Sequence, residues 1–137
     1  MSHLLRKISP LLQVRDLAAS FAFYTGQLGF HEVFRRTGFL IVARDGCEVY
    51  LAEKEREADL RNVTARSHPD AIANYDLHFD CELDASDRLW SEFRAAGVAL
   101  SPEFDHGPVN RSYGIRDFSV IDPDGYILVF GSPIEDK

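Results

Sequence analysis

The sequence predicts an α+β protein built from two β-α-β-β-β modules that form a cupped sheet, with the helices on its outer face. Three observations carry that prediction. Two helix-forming stretches with matching ends lie 68 residues apart, from Asp16 to Asp84 and from Gly29 to Gly97. Strand-like stretches of alternating character flank both of them. Two hairpin signals, Arg44-Asp45-Gly46 and Asp122-Pro123-Asp124-Gly125, each join the last two strands of a module.

The first module covers about residues 8–53. ISPLLQV (8–14) reads as a strand, with Ile8, Leu12 and Val14 toward the helix and Ser9, Leu11 and Gln13 on the opposite, cup-side face. In LAASFAFYTGQLG, Leu17, Phe21, Tyr24 and Leu28 fall on one helical face. Asp16 is placed to cap the free amides at the helix start, and Gly29 suits the left-handed residue that ends it. HEVFRR, FLIVARD and GCEVYLA follow as strands, with Val49 and Leu51 toward the helix and Glu48 and Tyr50 on the cup.

The second module covers about residues 75–131. YDLHFDC directs Leu77, Phe79 and Cys81 to the helix, which leaves Asp76, His78 and Asp80 on the cup. ASDRLWSEFRAAG is the second helix, with Leu89, Phe93 and Ala96 as its stripe and Trp90 beside it in a packing role. VALSPEF, IRDFSVI and YILVFG complete the plan. The step from Gly46 to Gly125 is 79 residues, so this module carries about eleven extra. They belong in or beside SPEFDHGPVNRSYG (101–114), read as an ordered functional loop. The charged segment 54–74 links the modules within a single domain, 1–137.

Composition narrows the function classes. With 45% hydrophobic and 27% charged residues the chain suits a globular protein. A chain of this length buries enough surface to fold without a disulfide or structural metal. Fifteen basic against 22 acidic residues give a formal charge of −7. That disfavours nucleic acid and mildly favours cationic or neutral ligands. No apolar run approaches the ~20 residues of a membrane helix, and MSHLLRKISP lacks the pattern of a secretion signal, so a cytoplasmic protein is expected. Cys47 and Cys81 lie in apolar segments and are expected to be reduced core thiols.

Paired modules with VRDLAASFAFYTGQLGF near the start and DPDG near the end resemble the vicinal-oxygen-chelate superfamily. That group includes glyoxalase I, extradiol dioxygenases, fosfomycin-resistance enzymes and bleomycin-resistance proteins. The resemblance implies metal ligands, in the metalloenzymes, on the first and fourth strand of each module. Mapped onto this chain those positions are Ser9, Tyr50, Asp76 and Val129. The 68-residue step would pair Ser9 with Leu77, but alternation puts Leu77 on the helix face; Asp76 is taken, with a one-residue insertion before the second helix. Valine has no donor, and serine and neutral tyrosine are weak ones, so no metal, no cofactor and no catalytic residue of that kind is expected.

Among non-metal members the resemblance is to bleomycin-resistance proteins, which sequester a large cationic antibiotic. It covers FHEVFRRTGFLIVARDGCEVYLA (30–52) without gaps and implies stacking aromatics near Phe34 and Phe39, with Tyr113 where that group often has tryptophan. The expected function is therefore sequestration of a flat, cationic antibiotic in an aromatic-lined groove at a dimer interface. The expected ligand-binding residues are Phe34, Phe39, Glu48, Tyr50, Asp76, His78 and Tyr113. Phe34 and Phe39 also fit ordinary strand residues buried in a dimer. Arg35, Arg36 and Arg44 oppose a cationic ligand unless they point outward or pair with Glu32 and Glu48. Pro10 matches a proline at the hinge of an exchanged N-terminal arm, which implies a homodimer with two equivalent grooves. The alternative reading is a superfamily enzyme, a lyase, isomerase or dioxygenase acting on a small organic substrate through a non-standard site around Asp76, His78 and Glu48.

Overall fold

A computed structural model describes residues 3–54 and 75–135. The proposed linker therefore lies outside the described residues, Lys54 excepted. The chain divides into two compact units, Met1–Arg61 and Asn62–Lys137. In the first, β1 (Leu11–Val14) leads into α1 (Leu17–Phe21), which runs on as a π-helical stretch over Ala22–Gln27. Three strands follow, β2 (His31–Arg36), β3 (Phe39–Arg44) and β4 (Cys47–Glu53). The sheet order is β1-β4-β3-β2, with β1 parallel to β4 and the other pairs antiparallel.

The second unit repeats this plan with β5 (Leu77–Asp80), α2 (Ala85–Ala95), a 3₁₀ turn (Pro102–Phe104), β6 (Val109–Asn110), β7 (Ile115–Ile121) and β8 (Ile127–Pro133). Its order is β5-β8-β7-β6, again with the first strand parallel to the fourth. Each helix packs on the two central strands of its own sheet. Leu12, Val14, Leu40, Val42, Val49 and Leu51 are buried beneath α1 together with Leu17, Tyr24 and Leu28. Beneath α2 the core is aromatic: Phe130 stacks on Phe79 at 4.8 Å and meets Phe93 at 5.1 Å and Phe118 at 5.5 Å. Each such side chain contributes about 1.5–3 kcal/mol on burial.

The duplication is visible in the register. Leu11 pairs with Tyr50 in one unit and His78 with Val129 in the other. The first strands are thus 67 residues apart, the helix-ending glycines 68, and the fourth strands 79, which places the inserted residue between the first strand and the helix of the second module. A shared device closes each helix N-terminus. The Leu17 amide donates to Glu53 Oε2 at 2.8 Å and the Ser86 amide to Ser132 Oγ at 2.9 Å, both acceptors at the end of the fourth strand. Asp16 adds a side-chain cap, accepting from the amides of Ala18 and Ala19. Asp84 does not: it sits at φ 67° with no capping bond.

Several sequence expectations are corrected. The first strand begins at Leu11 rather than residue 8, because Pro10 offers only its carbonyl to the ladder, to the Tyr50 amide. Ile8, expected toward the helix, is 92% exposed. The π-helical stretch rotates the first stripe, so that Phe23 is buried while Phe21 is half-buried under the Arg35 guanidinium. Ala96 ends α2 as its exposed C-cap. VALSPEF is not a strand: the Trp90 indole donates to the Phe104 carbonyl at 2.7 Å and Arg94 to that of Asp105 at 2.9 Å, tying the segment to α2. The two-residue β6 takes the sheet edge instead. Cys47 is exposed rather than core. No helix among the described residues is long and apolar enough to cross a membrane.

The unequal caps give a stability test. Asp16→Ala should lower the free energy of unfolding by about 1 kcal/mol. Asp84→Gly should leave it unchanged or slightly raised, since glycine relieves the positive φ and no cap is lost. Urea unfolding midpoints measure both, and an equal loss at Asp84 would contradict its conformation.

Candidate functional site

Strand alternation gives each sheet a helix face and an opposite face, and most of the residues expected in a ligand site lie on the latter. In the first module that face carries Leu11 on β1, Glu48 and Tyr50 on β4, Phe39 and Ile41 on β3, and Phe34 and Arg36 on β2. The aromatic rings form a row: Phe34 to Phe39 at 6.3 Å and Phe39 to Tyr50 at 5.6 Å, both edge-to-face. Phe34 is 41% exposed and Phe39 and Tyr50 are half-buried, so ring surface is available. Edge-to-face rings fix one another's orientation and present a preformed surface to a flat ligand.

A β-bulge between Glu32 and Phe34 decides which charges share that face. Glu32 stands opposite Val42, and Arg35 opposite Leu40, both on the helix side. There Arg35 pairs with Glu32 at 3.0 Å and covers Phe21. Arg44 also lies on the helix side and donates to the Leu28 carbonyl at 2.7 Å. Only Arg36 of the three arginines reaches the ring face, with its guanidinium 5.4 Å over the Phe34 ring. Glu48 accepts Lys7 of the N-terminal arm at 2.7 Å, so its carboxylate is already paired.

In the second module His78 lies beside Val129 and across Gly131. A side chain at Gly131 would meet Ile115 Cγ2 at 2.8 Å and His78 Nε2 at 3.0 Å, so glycine is what lets the imidazole lie against the strand. His78 Nδ1 is 3.3 Å from Asp80 Oδ1, and the ring meets Tyr75 at 5.7 Å. The Asp76 carboxylate accepts the Ile127 amide at 2.8 Å and so holds the start of β8.

Tyr113 is 47% exposed at the turn between β6 and β7, where its hydroxyl lies 3.4 Å from Asp117 Oδ2. Asp117 is buried and receives Arg111 Nε at 2.9 Å, while Arg111 Nη2 reaches Glu103 at 3.0 Å. Burial pulls the Arg111 guanidinium down, but the hydrogen bond and charge of Asp117, with those of Glu103, outweigh it and hold the group above its ordinary value. The loop 101–114 is therefore ordered by an ion-paired arginine at one end and Trp90 at the other.

Within each module the expected residues come together as follows: Phe34, Phe39 and Tyr50 as a ring row with Glu48 on the same face, and Asp76, His78 and Tyr113 as separate points on the second. Arg111 and Asp117 were not among the candidates. Asp117 was legible as the one carboxylate alternating against Phe118 and Val120 in IRDFSVI. The positions that the resemblance implies for a metal do not fit one. Val129 has no lone pair, and Asp76 holds a backbone amide. Among the described residues no three His, Cys, Asp or Glu side chains gather as ligands.

Comparison with known proteins matches residues 2–130 to the family model of the Glyoxalase/Bleomycin resistance protein/Dioxygenase superfamily. A bleomycin resistance protein of Geobacillus stearothermophilus is 27% identical over 133 residues, covering 92% of this chain and 96% of that protein. The fold is similar to the crystal structure of a bleomycin resistance determinant encoded on transposon Tn5, with a TM-score of 0.70, 21% identity, and 96% and 100% of the two chains covered. It is also similar to a bleomycin-binding protein complexed with bleomycin, with a TM-score of 0.67, 24% identity, and 93% and 98% covered.

Removing one partner of the loop's ion pair should be costly. Arg111→Met leaves the Asp117 carboxylate buried and uncompensated, and should destabilise the protein by about 2–4 kcal/mol, somewhat below a fully buried pair because the guanidinium is partly exposed. The double variant with Asp117→Leu should recover much of that loss in thermal unfolding.

Proposed function

This chain belongs to the glyoxalase/bleomycin resistance protein/dioxygenase superfamily, and on that premise we propose that it is a small-molecule-binding protein that sequesters a flat, cationic antibiotic of the bleomycin type. The observation that carries this reading is the half-exposed ring row Phe34–Phe39–Tyr50 on the face turned away from α1. Its relatives support the choice of ligand, since the bleomycin resistance protein of Geobacillus stearothermophilus aligns over 92% of this chain. The flat part of the ligand stacks on the rings, each worth ~1–3 kcal/mol by analogy with base stacking. Tyr113 adds a further exposed ring. Glu48, once Lys7 is displaced, receives the cation. Asp76 keeps the start of β8 in place.

The active form in this reading is a homodimer with two equivalent grooves. Leu4, Leu5 and Ile8 are each at least 90% exposed on an arm that belongs to no strand, directly ahead of Pro10. A second copy that receives this arm would bury them, which makes Pro10 the hinge of an exchange.

Calorimetric titration with metal-free bleomycin at low salt tests the reading. Saturation near one ligand per chain is expected, with affinity falling as salt rises. Phe39→Ala and Tyr113→Ala should each weaken binding by about 5- to 100-fold. Absence of heat would remove this antibiotic class, and unchanged affinity in both variants would remove the site. Sedimentation equilibrium should show a dimer that deletion of residues 1–9 dissociates.

A further inference from the structure

Among the described residues, the ring face of the first module carries one arginine with no carboxylate partner. Arg35 and Arg44 are turned to the helix side, and Lys7 is held by Glu48. The Arg36 guanidinium carbon lies 5.4 Å from the centre of the Phe34 ring, and among the described residues no carboxylate pairs with it. A guanidinium beside a ring carries five N–H donors in a planar fork matched to two oxygens. Arg36 stands opposite Phe39 in the β2–β3 register, so this fork borders the ring surface on which a flat ligand would lie.

From this geometry we propose that Arg36 is a specificity-determining residue that recognises an oxygen acceptor attached directly to the stacked ring, a carboxylate best and a carboxamide next. The inference rests on the ring face being the ligand site and adds what the resemblance does not supply, the chemistry at one end of the ligand. It also orients the ligand. Arg36 lies in register with Phe39 and, through it, with Ala52, whereas Glu48 is four residues back along β4, about 13 Å away. The acyl oxygen binds at the Phe34 end and any cationic group extends toward Glu48. A cation at the Phe34 end meets Arg36 directly and is rejected.

Three flat probes of equal ring size isolate the effect: a naphthalene carboxylate, its carboxamide and the corresponding methylnaphthalene, each titrated calorimetrically into the full-length protein. The wild type should bind the carboxylate about tenfold tighter than the methyl compound, with the carboxamide between them. Arg36→Gln should bring the three to within about twofold of one another. Arg36→Lys should restore only part of the preference, because ammonium keeps the charge and loses the fork. Phe39→Ala should weaken all three probes together. If Phe39→Ala weakens them but the preference survives in Arg36→Gln, the ring site stands and the role of Arg36 is overturned. If no probe binds, or Phe39→Ala changes none, the ring site and the inference fall together. Arg36 is exposed, so unchanged thermal unfolding of its variants confirms that the comparison is made on folded protein.

Discussion

The parallel pairing of the first strand with the fourth is the constraint from which the rest of each module follows. Antiparallel neighbours can be joined by a two-residue turn, but parallel ones need a crossover, and here the crossover begins with the helix. Once β1 lies beside β4, and β5 beside β8, α1 and α2 are confined to one face of their sheets. The same pairing brings the end of the fourth strand to the start of the helix, where Glu53 and Ser132 satisfy amides that would otherwise be orphaned. It also fixes the register, and with it which side chains are left on the face the helix does not cover.

From that common frame the two modules have diverged in chemistry. The first presents rings, with Arg35 and Arg44 on the helix side, Glu48 paired with Lys7, and Arg36 over Phe34. The second presents an imidazole laid over a glycine, and a loop anchored by a buried ion pair. These are different solutions to holding an exposed surface still. Rings brace one another by edge-to-face contact, whereas Tyr113 on a long loop is placed by Arg111, Asp117 and Trp90 at the loop's two ends. The inserted residues of the second module are what make that loop, and they displace the expected third-element strand in doing so.

A single bulge has a large effect on the electrostatics of the first module. Without the bulge at Val33, regular alternation would put Glu32 on the same face as Phe34 and Arg36. With it, Glu32 turns to the helix side and joins Arg35, and among the described residues no carboxylate pairs with Arg36 over Phe34. The overall charge of −7 says nothing about this, because what a ligand meets is the local arrangement.

The sequence alone determined the α+β class, the doubled β-α-β-β-β plan, the helix limits and the two hairpins. These rest on local properties, since periodicity, turn chemistry and capping are written in neighbouring residues. It also placed Glu48, Tyr50 and His78 on the face opposite the helix, because alternation is a period-two rule that needs no tertiary information. Tertiary structure decided what local pattern could not. It left Asp84 uncapped by giving the amide to Ser132, from a strand 46 residues away. It turned VALSPEF from a strand into a segment tied to α2, because Trp90 donates to the Phe104 carbonyl and Arg94 to that of Asp105 just beyond it. It also set the partner of each charge, Lys7 for Glu48, Glu32 for Arg35, Ile127 for Asp76 and none for Arg36 among the described residues, since pairing across strands depends on register and bulges that a linear sequence leaves open.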